Sequence, residues 1–268
     1  MPIEARLIFD APQAGELNMG VDQALLDQCR ETPVLRFYRW SRPTVSLGYF
    51  QPHQDRQQHV SSQACPWLRR STGGGAIIHD RELTYSLIVP ASLVPRRSAD
   101  LYDLVHNAFC NWLRSVGLQT YLFDDSLLQP SAYVNPKTFL CFQRRADGDV
   151  VAWDGDPEIQ KPPFEVAGNK LLGSAQRKQK NALLQHGSLL IKRSDAAPEL
   201  PGLMDLPNYN GPTKYREAEL AIQETLTDQV SQSLDWNWTE SCVTEIERDR
   251  AAYWVEQRFQ NLGWNNSR

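Results

Sequence analysis

The chain has 268 residues, of which 41% are hydrophobic and 10% aromatic, enough to bury a substantial core, and one domain is expected. Its 28 basic and 32 acidic residues leave a formal net charge of −4, which offers no global attraction to nucleic acid and disfavours a genome-binding role, although a mildly acidic chain can hold a local basic site. No apolar stretch near the N-terminus has the flanks of a secretion signal and no run approaches bilayer length, so a soluble cytoplasmic protein without membrane engagement is expected. Cys29, Cys65, Cys110, Cys141 and Cys242 are odd in number and widely spaced, and they indicate neither a disulfide framework nor a thiolate zinc site.

In chain order, Asn18 is placed to cap a helix running to about Cys29, with Met19, Val21, Leu25 and Leu26 as its apolar contacts. A strand pair should follow: Val34 to Trp40 alternates apolar and basic residues, Ser41-Arg42-Pro43 punctuates, and Val45 to Phe50 resumes an extended pattern. Ala76 to Val89 reads as two short strands joined at His79 to Leu83. Ser98 can cap an amphipathic helix with Leu101, Val105, Ala108 and Trp112 on one face, ended by Gly117. The polar stretch from Gln143 to Pro163, with its Asp-Gly-Asp triplets and Pro162-Pro163, reads as a loop rather than a packed element. Phe164 to Ala167 suggests a strand, and Gly168-Asn169 a hairpin connection that makes Lys170 the first residue of the return strand. Leu183 to Ile191 should form another strand, and two helical patterns follow from about Tyr215.

The segment Arg69-Arg70-Ser71-Thr72-Gly73-Gly74-Gly75-Ala76-Ile77-Ile78-His79-Asp80 places three glycines between a basic pair and an apolar run. Such a loop suits unusual dihedrals or the close approach of a ligand to backbone amides, yet alone it is equally an ordinary tight connection. A second segment alters that balance: Gly168-Asn169-Lys170-Leu171-Leu172-Gly173-Ser174-Ala175-Gln176, followed by Leu184-Gln185-His186-Gly187-Ser188. Together the two resemble the lipoate/biotin protein ligase and octanoyltransferase superfamily, with its arginine-rich glycine loop ending in His-Asp, its Gly-x-Lys turn and its His-Gly-(Ser/Thr) segment in that order. Asn18-Met19, Leu35 to Trp40 and Ser46 to Gln51 extend the resemblance, so it covers most of the chain from Glu16 to Ile191. It implies an α/β fold, a mixed β-sheet flanked by helices like the biotin and lipoate ligase catalytic domain and related to class II aminoacyl-tRNA synthetases. Composition and periodicity by themselves support only mixed α and β elements around a glycine-loop site.

Leu140-Cys141-Phe142, upstream of the lysine turn, resembles the cysteine-dependent octanoyltransferases of the lipoate-protein ligase A type, whose matching cysteine takes the acyl group as a thioester. The gap from Cys141 to Lys170 is longer than in those enzymes by about a dozen residues. The resemblance implies Cys141 as nucleophile and Lys170 as the group that contacts the acyl carbonyl, helps deprotonate Cys141 and serves the acceptor amine as base. Gly73, Gly74 and Gly75 should line the acyl or adenylate pocket with backbone donors, Arg70 should orient a carboxylate, phosphate or pantetheine group unless it and Arg69 are a solvated pair, and Gly173, Ser174 and Ala175 should shape the slot for the chain; His79 is either an acid/base group or a structural histidine held by Asp80 or backbone, and His186 supports the pocket floor. Arg177, Lys178 and Lys180 are either a solvated face or a docking patch for acidic partners.

The function so implied is octanoyl transfer from acyl carrier protein to a lysine of a lipoyl domain, on a 2-oxoacid dehydrogenase subunit or the glycine cleavage H protein, with no metal or other cofactor. The alternatives are an ATP- and Mg-dependent lipoate-protein ligase, transfer between two lipoyl-bearing proteins, and a non-catalytic lipoyl-domain binder. The segment after Ile191 looks short for the accessory domain many ligases carry, which favours the transferase.

Overall fold

The computed structural model describes residues 2–124, 126, 138–153 and 168–268. In chain order they form β1 (Ile3–Phe9), α1 (Gly15–Gln28), β2 (Val34–Tyr38), β3 (Thr44–Leu47), β4 (Trp67–Arg69), β5 (Ile77–His79), β6 (Glu82–Pro90), α2 (Ser98–Ser115), β7 (Gln119–Leu122), β8 (Val150–Trp153), β9 (Asn169–Lys178), β10 (Ala182–Leu190), α3 (Tyr215–Leu234), β11 (Trp236–Ser241), α4 (Glu245–Trp254) and α5 (Leu262–Asn265). Eight strands make one mixed sheet in the order β11-β1-β2-β6-β10-β9-β8-β7, and β4-β3-β5 make a smaller one. This is the mixed sheet with flanking helices that the resemblance implied.

Side-chain alternation divides the large sheet into two faces of different character. On β6, Leu83, Tyr85, Leu87 and Val89 join the main core with Leu101, Val105, Ala108 and Phe109 of α2 and Ile222 and Leu226 of α3. The intervening Glu82, Thr84 and Ser86 are equally buried but turn toward the α1 side, as do Arg36 of β2 and His186 and Ser188 of β10. Buried polar groups at such density require partners, and they supply the back wall of the site. Farther along this face, Val21, Leu25, Ile88, Leu184 and Ala251 close a second core between α1, the sheet and α4.

Several local expectations need correction. β2 and β3 do not pair: both edges of β2 are taken by β1 and β6, and the chain turns away at Trp40 to build the small sheet. β5 and β6 are likewise consecutive strands in different sheets. The first helix starts at Gly15 rather than Asn18, and Asn18 is wholly buried, bonding Arg36 and the Arg39 carbonyl instead of capping. α2 runs as expected, with its four apolar residues buried, and leaves through Gly117 at φ +90°; its N-cap position is Arg97, one residue before Ser98.

The polar stretch after Gln143 is not all loop. Val150-Val151-Ala152-Trp153 is an uninterrupted buried apolar run that pairs with both β7 and β9, and interior strands read this way when both faces are covered. Lys170 is therefore the second residue of β9 and faces Val151 across the ladder; the expected strand Phe164 to Ala167 and the triplet at Asp154 lie outside the described residues. After Tyr215 the two helices α3 and α4 appear, with β11 between them pairing parallel to β1. Among the described residues no helix is long and apolar enough to cross a membrane.

Candidate active site

The glycine loop leaves β4 and reaches β5 past the segment that carries Cys141. Gly74 sits at φ +94°, a left-handed conformation that side chains resist. Gly75 is needed for space: a Cβ there would lie 3.0 Å from the backbone N and 3.1 Å from the Cα of Cys141. That close approach is held by two backbone bonds, Ala76 N–H to Phe139 O at 3.0 Å and Cys141 N–H to Ala76 O at 2.7 Å. The cysteine is thereby pinned to the end of the loop and stays partly exposed.

Arg70 works inside this loop. Its buried guanidinium donates to Ser46 O (2.9 Å), Ser46 Oγ (3.1 Å), Gly73 O (2.7 Å) and Gly75 O (2.8 Å), so it holds the loop's shape from beneath. Burial drops its pKa to about 10, with nearby Cys141 acting in the opposite direction. His79 completes the support: Nδ1 is 2.5 Å from Glu82 Oε1 and Nε2 is 2.7 Å from Ser46 Oγ, with the ring stacked 3.7 Å over Trp40. Burial holds the imidazole below its usual pKa against the pull of Glu82. The neutral ring therefore donates from Nδ1 to the carboxylate and accepts from Ser46 at Nε2. Its carboxylate partner is Glu82 and not Asp80, which accepts from Ser194 instead.

His186 joins the loop to the sheet, with Nε2 2.8 Å from Thr72 Oγ1 and Nδ1 3.2 Å from Asp22 Oδ2. Asp22 also accepts from Arg36 (2.8 Å), Tyr38 (2.9 Å) and Ser86 (2.8 Å). Burial alone would raise the Asp22 carboxyl; the bonds to His186 and the charge of Arg36 outweigh it and hold the group below its ordinary value.

Lys170 owes its direction to a β-bulge. Val150 pairs with Leu172 and Val151 with Lys170, so β9 carries one extra residue there. Leu171 and Leu172 consequently both enter the main core, while Lys170 and Gly173 face the α1 side together. The Lys170 Nζ lies 3.7 Å from Cys141 Sγ, 3.5 Å from Cys141 O and 2.7 Å from Asp149 Oδ2. Both side chains of the ion pair are almost wholly buried. Burial by itself would lower the lysine pKa, but Cys141 and Asp149 more than offset it and leave it raised. The resting group is an ammonium, which is at odds with a lysine that meets Cys141 already deprotonated.

Asp149 was not singled out from the sequence. It sits at the end of the Asp147-Gly148-Asp149 turn, and the signal that could have found it is the apolar run immediately after, which marks a strand start. Its Oδ2 also accepts from Ala146 N–H at 2.8 Å. Behind it, His106 is buried with its pKa pushed to about 3, chiefly by burial. Neutral His106 bonds the Gly148 carbonyl through Nδ1 (2.7 Å), so Nε2 accepts from Ser174 Oγ (2.7 Å). The Ser174 hydroxyl spends its proton there, and its Oγ also meets Tyr85 OH at 2.7 Å.

A pocket with a cavity volume of about 120 Å³ is walled by Arg70, Gly73, Gly74, His79, Cys141, Gly173, Ser174, Ala175 and His186 together with the apolar Met19, Ile77 and Phe142; Lys170 and Asp149 lie outside this lining, with Lys170 next to Cys141. Gly75 lies behind Cys141 and outside this lining. Arg177 reaches back to the loop, donating to Ser71 O at 2.5 Å, whereas Lys178 and Lys180 are exposed near the β9–β10 turn.

A family model for the lipoyl protein ligase A/B catalytic domain matches residues 14–198. The octanoyltransferase LipM of Halalkalibacterium halodurans is 34% identical over 97% of this chain and 98% of its own length. The LipM octanoyltransferase of Anoxybacillus flavithermus is 35% identical over 94% of each chain. A crystal structure of lipoate-protein ligase A bound with ATP superposes with a TM-score of 0.70 at 20% identity, covering 98% of this chain and 99% of the other, which establishes a shared fold. The chain belongs to the lipoyl protein ligase A/B catalytic-domain family and is similar over nearly its whole length to octanoyltransferases of that family.

Proposed function

We propose that this protein is an octanoyltransferase that moves the acyl group from an acyl carrier protein thioester to a lysine of a lipoyl domain, through a thioester on Cys141. The observation that carries the reading is the 3.7 Å approach of Lys170 Nζ to the Sγ of Cys141, a residue that lines a partly apolar pocket. Cysteine attacks thioesters as the thiolate, and the Lys170 ammonium places positive charge beside the attacking sulfur. Near-full-length similarity to octanoyltransferases supports the choice of acyl group and of reaction.

In the first half-reaction the Cys141 thiolate attacks the donor carbonyl, a carbon–sulfur bond forms to Cys141, and the bond to the carrier thiol breaks. The departing carrier thiolate takes a proton from the Lys170 ammonium. Acylation also removes the negative sulfur that helped keep Lys170 protonated, so the buried lysine gives up that proton more readily at this stage. In the second half-reaction the acceptor lysine enters as a neutral amine, one proton having gone to water. It attacks the Cys141 thioester, passes its second proton to Lys170, and the carbon–sulfur bond breaks to restore thiolate and ammonium. Lys170 thus acts first as cation and acid and only then as base, while Asp149 holds it in place throughout.

The same fold would also accommodate an acyl-adenylate ligase. A cysteine facing a buried lysine has no task in that chemistry, and this favours transfer. The whole is read as one catalytic domain, with α3 packed on α2 and α4 packed on α1. Purified protein, octanoyl carrier protein and an isolated lipoyl domain, without ATP, should yield an octanoylated lysine; modification that requires ATP and free acid would overturn the reading.

A further inference from the structure

The pocket lining follows β9 as far as Ala175, and the same face of the strand carries Arg177 two residues on. Gly173, Ala175 and Arg177 alternate onto the face that carries Lys170, so two small residues form a floor that ends at an arginine. Four residues of extended chain separate Gly173 from Arg177, about 13 Å at the usual strand rise. At that distance Arg177 meets a second arginine from the C-terminal segment. Arg177 donates to Ser71 O at 2.5 Å, and Arg258 donates to Ser71 Oγ at 3.1 Å and to Gln23 Oε1 at 3.0 Å. The Arg258 guanidinium lies 4.3 Å from the ring centre of Trp254 and 4.6 Å from that of Trp264, which fixes it in place.

The pair is electrostatically costly as it stands. Burial and the proximity of Arg177 pull the Arg258 pKa down, and the nearby Asp27 carboxylate offsets them only in part. Among the described residues neither arginine forms an ion pair with a carboxylate, their hydrogen-bond partners being neutral, and the Arg177 Nε is buried without a partner. Two guanidinium groups held together over one serine beside the glycine loop offer a fork for an anion with several acceptor oxygens.

We infer that Arg177 and Arg258 form an anion subsite for the phosphodiester of a pantetheine-type arm, with the arm lying over Gly173 and Ala175 and its thioester at Cys141. The inference rests on the acyl-carrier reading above. It also gives the C-terminal segment, which lies beyond the family-model match, a part in donor recognition.

The test is binding of 4′-phosphopantetheine, unphosphorylated pantetheine and AMP to the full chain by calorimetry, for wild type, Arg177→Gln, Arg258→Gln and Arg258→Lys. Wild type should prefer phosphopantetheine over pantetheine by about tenfold or more, as charge-assisted hydrogen bonds warrant. Either glutamine variant should bring that ratio toward one, with Arg258→Lys in between; Arg177→Gln, on a strand rim, guards against misfolding of the tryptophan cluster. Formation of an octanoyl adduct from carrier protein is recorded in parallel. An adduct with no phosphate preference overturns the subsite and leaves the transferase standing, whereas an arginine-dependent preference with no adduct supports the subsite and tells against transfer. Tighter binding of AMP than of phosphopantetheine overturns the subsite in favour of an adenylate phosphate.

Discussion

The Lys170 ammonium is 2.7 Å from the Asp149 carboxylate, and the two side chains are buried together behind Cys141. Their pairing fixes both the position and the charge of the group that faces the nucleophile. Asp149→Asn should remove the charge that keeps the lysine protonated, so its pKa falls. Acylation of Cys141 should slow by about 10- to 100-fold, and the alkaline limb of its pH profile should move to lower pH. Stopped-flow acylation against pH would show this; an unchanged limb would mean that Asp149 serves packing alone. Because one partner of a buried pair is lost, a stability cost of about 3 kcal/mol is expected in denaturant titration.

Lys170→Arg separates charge from proton transfer. A guanidinium keeps a cation near the sulfur but does not give up its proton at neutral pH. The acyl-Cys141 form should therefore accumulate, while transfer to the lipoyl domain falls by about 10² to 10⁴. Single-turnover chases of the isolated acyl-enzyme check this; transfer near the wild-type rate would mean that Lys170 acts only through its charge.

Gly75→Ala places a methyl 3.0 Å from Cys141 N and 3.2 Å from Phe139 O, so the cysteine segment must move away from Lys170. A displacement of this size should cost about 10²-fold in acylation with the fold retained. Circular dichroism and the acylation rate, measured together, check both halves of that statement.

Asp22 governs a dependence on acid. Its carboxyl is held below the ordinary 3.8, so the stability it contributes is present above that value and is lost as pH falls through its lower folded value. Melting temperature should decline for wild type below about pH 4, and Asp22→Asn, already weaker at neutral pH, should decline less steeply over that range. Parallel slopes would assign the acid sensitivity to other carboxylates.

Much of this site could be read from the sequence because its chemistry is carried by local segments: the glycine loop, the Gly-x-Lys segment and the amphipathic α2 each announce themselves over a few residues, although Asn169 and Lys170 belong to β9 and not to a two-residue hairpin connection. What escaped depends on distant pairing. β8 hides behind the Asp-Gly signals on either side of it, and with it went Asp149, whose role appears only when β8 is laid beside β9 with one residue of bulge. Nothing in the alternation of β2 and β3 or of β5 and β6 tells that consecutive strands belong to different sheets. The buried set of Asp22, Arg36, Ser86 and His186 joins a helix and three strands, and Asn18, which has the chemistry of a cap, is spent on that set instead.

The central claim is a covalent acyl-enzyme on Cys141, and intact-protein mass spectrometry after incubation with octanoyl carrier protein and no ATP tests it most directly. The account predicts an octanoyl adduct on wild type that is absent from Cys141→Ser. No adduct on wild type, with both proteins instead modifying a lipoyl domain when given ATP and lipoate, would contradict it.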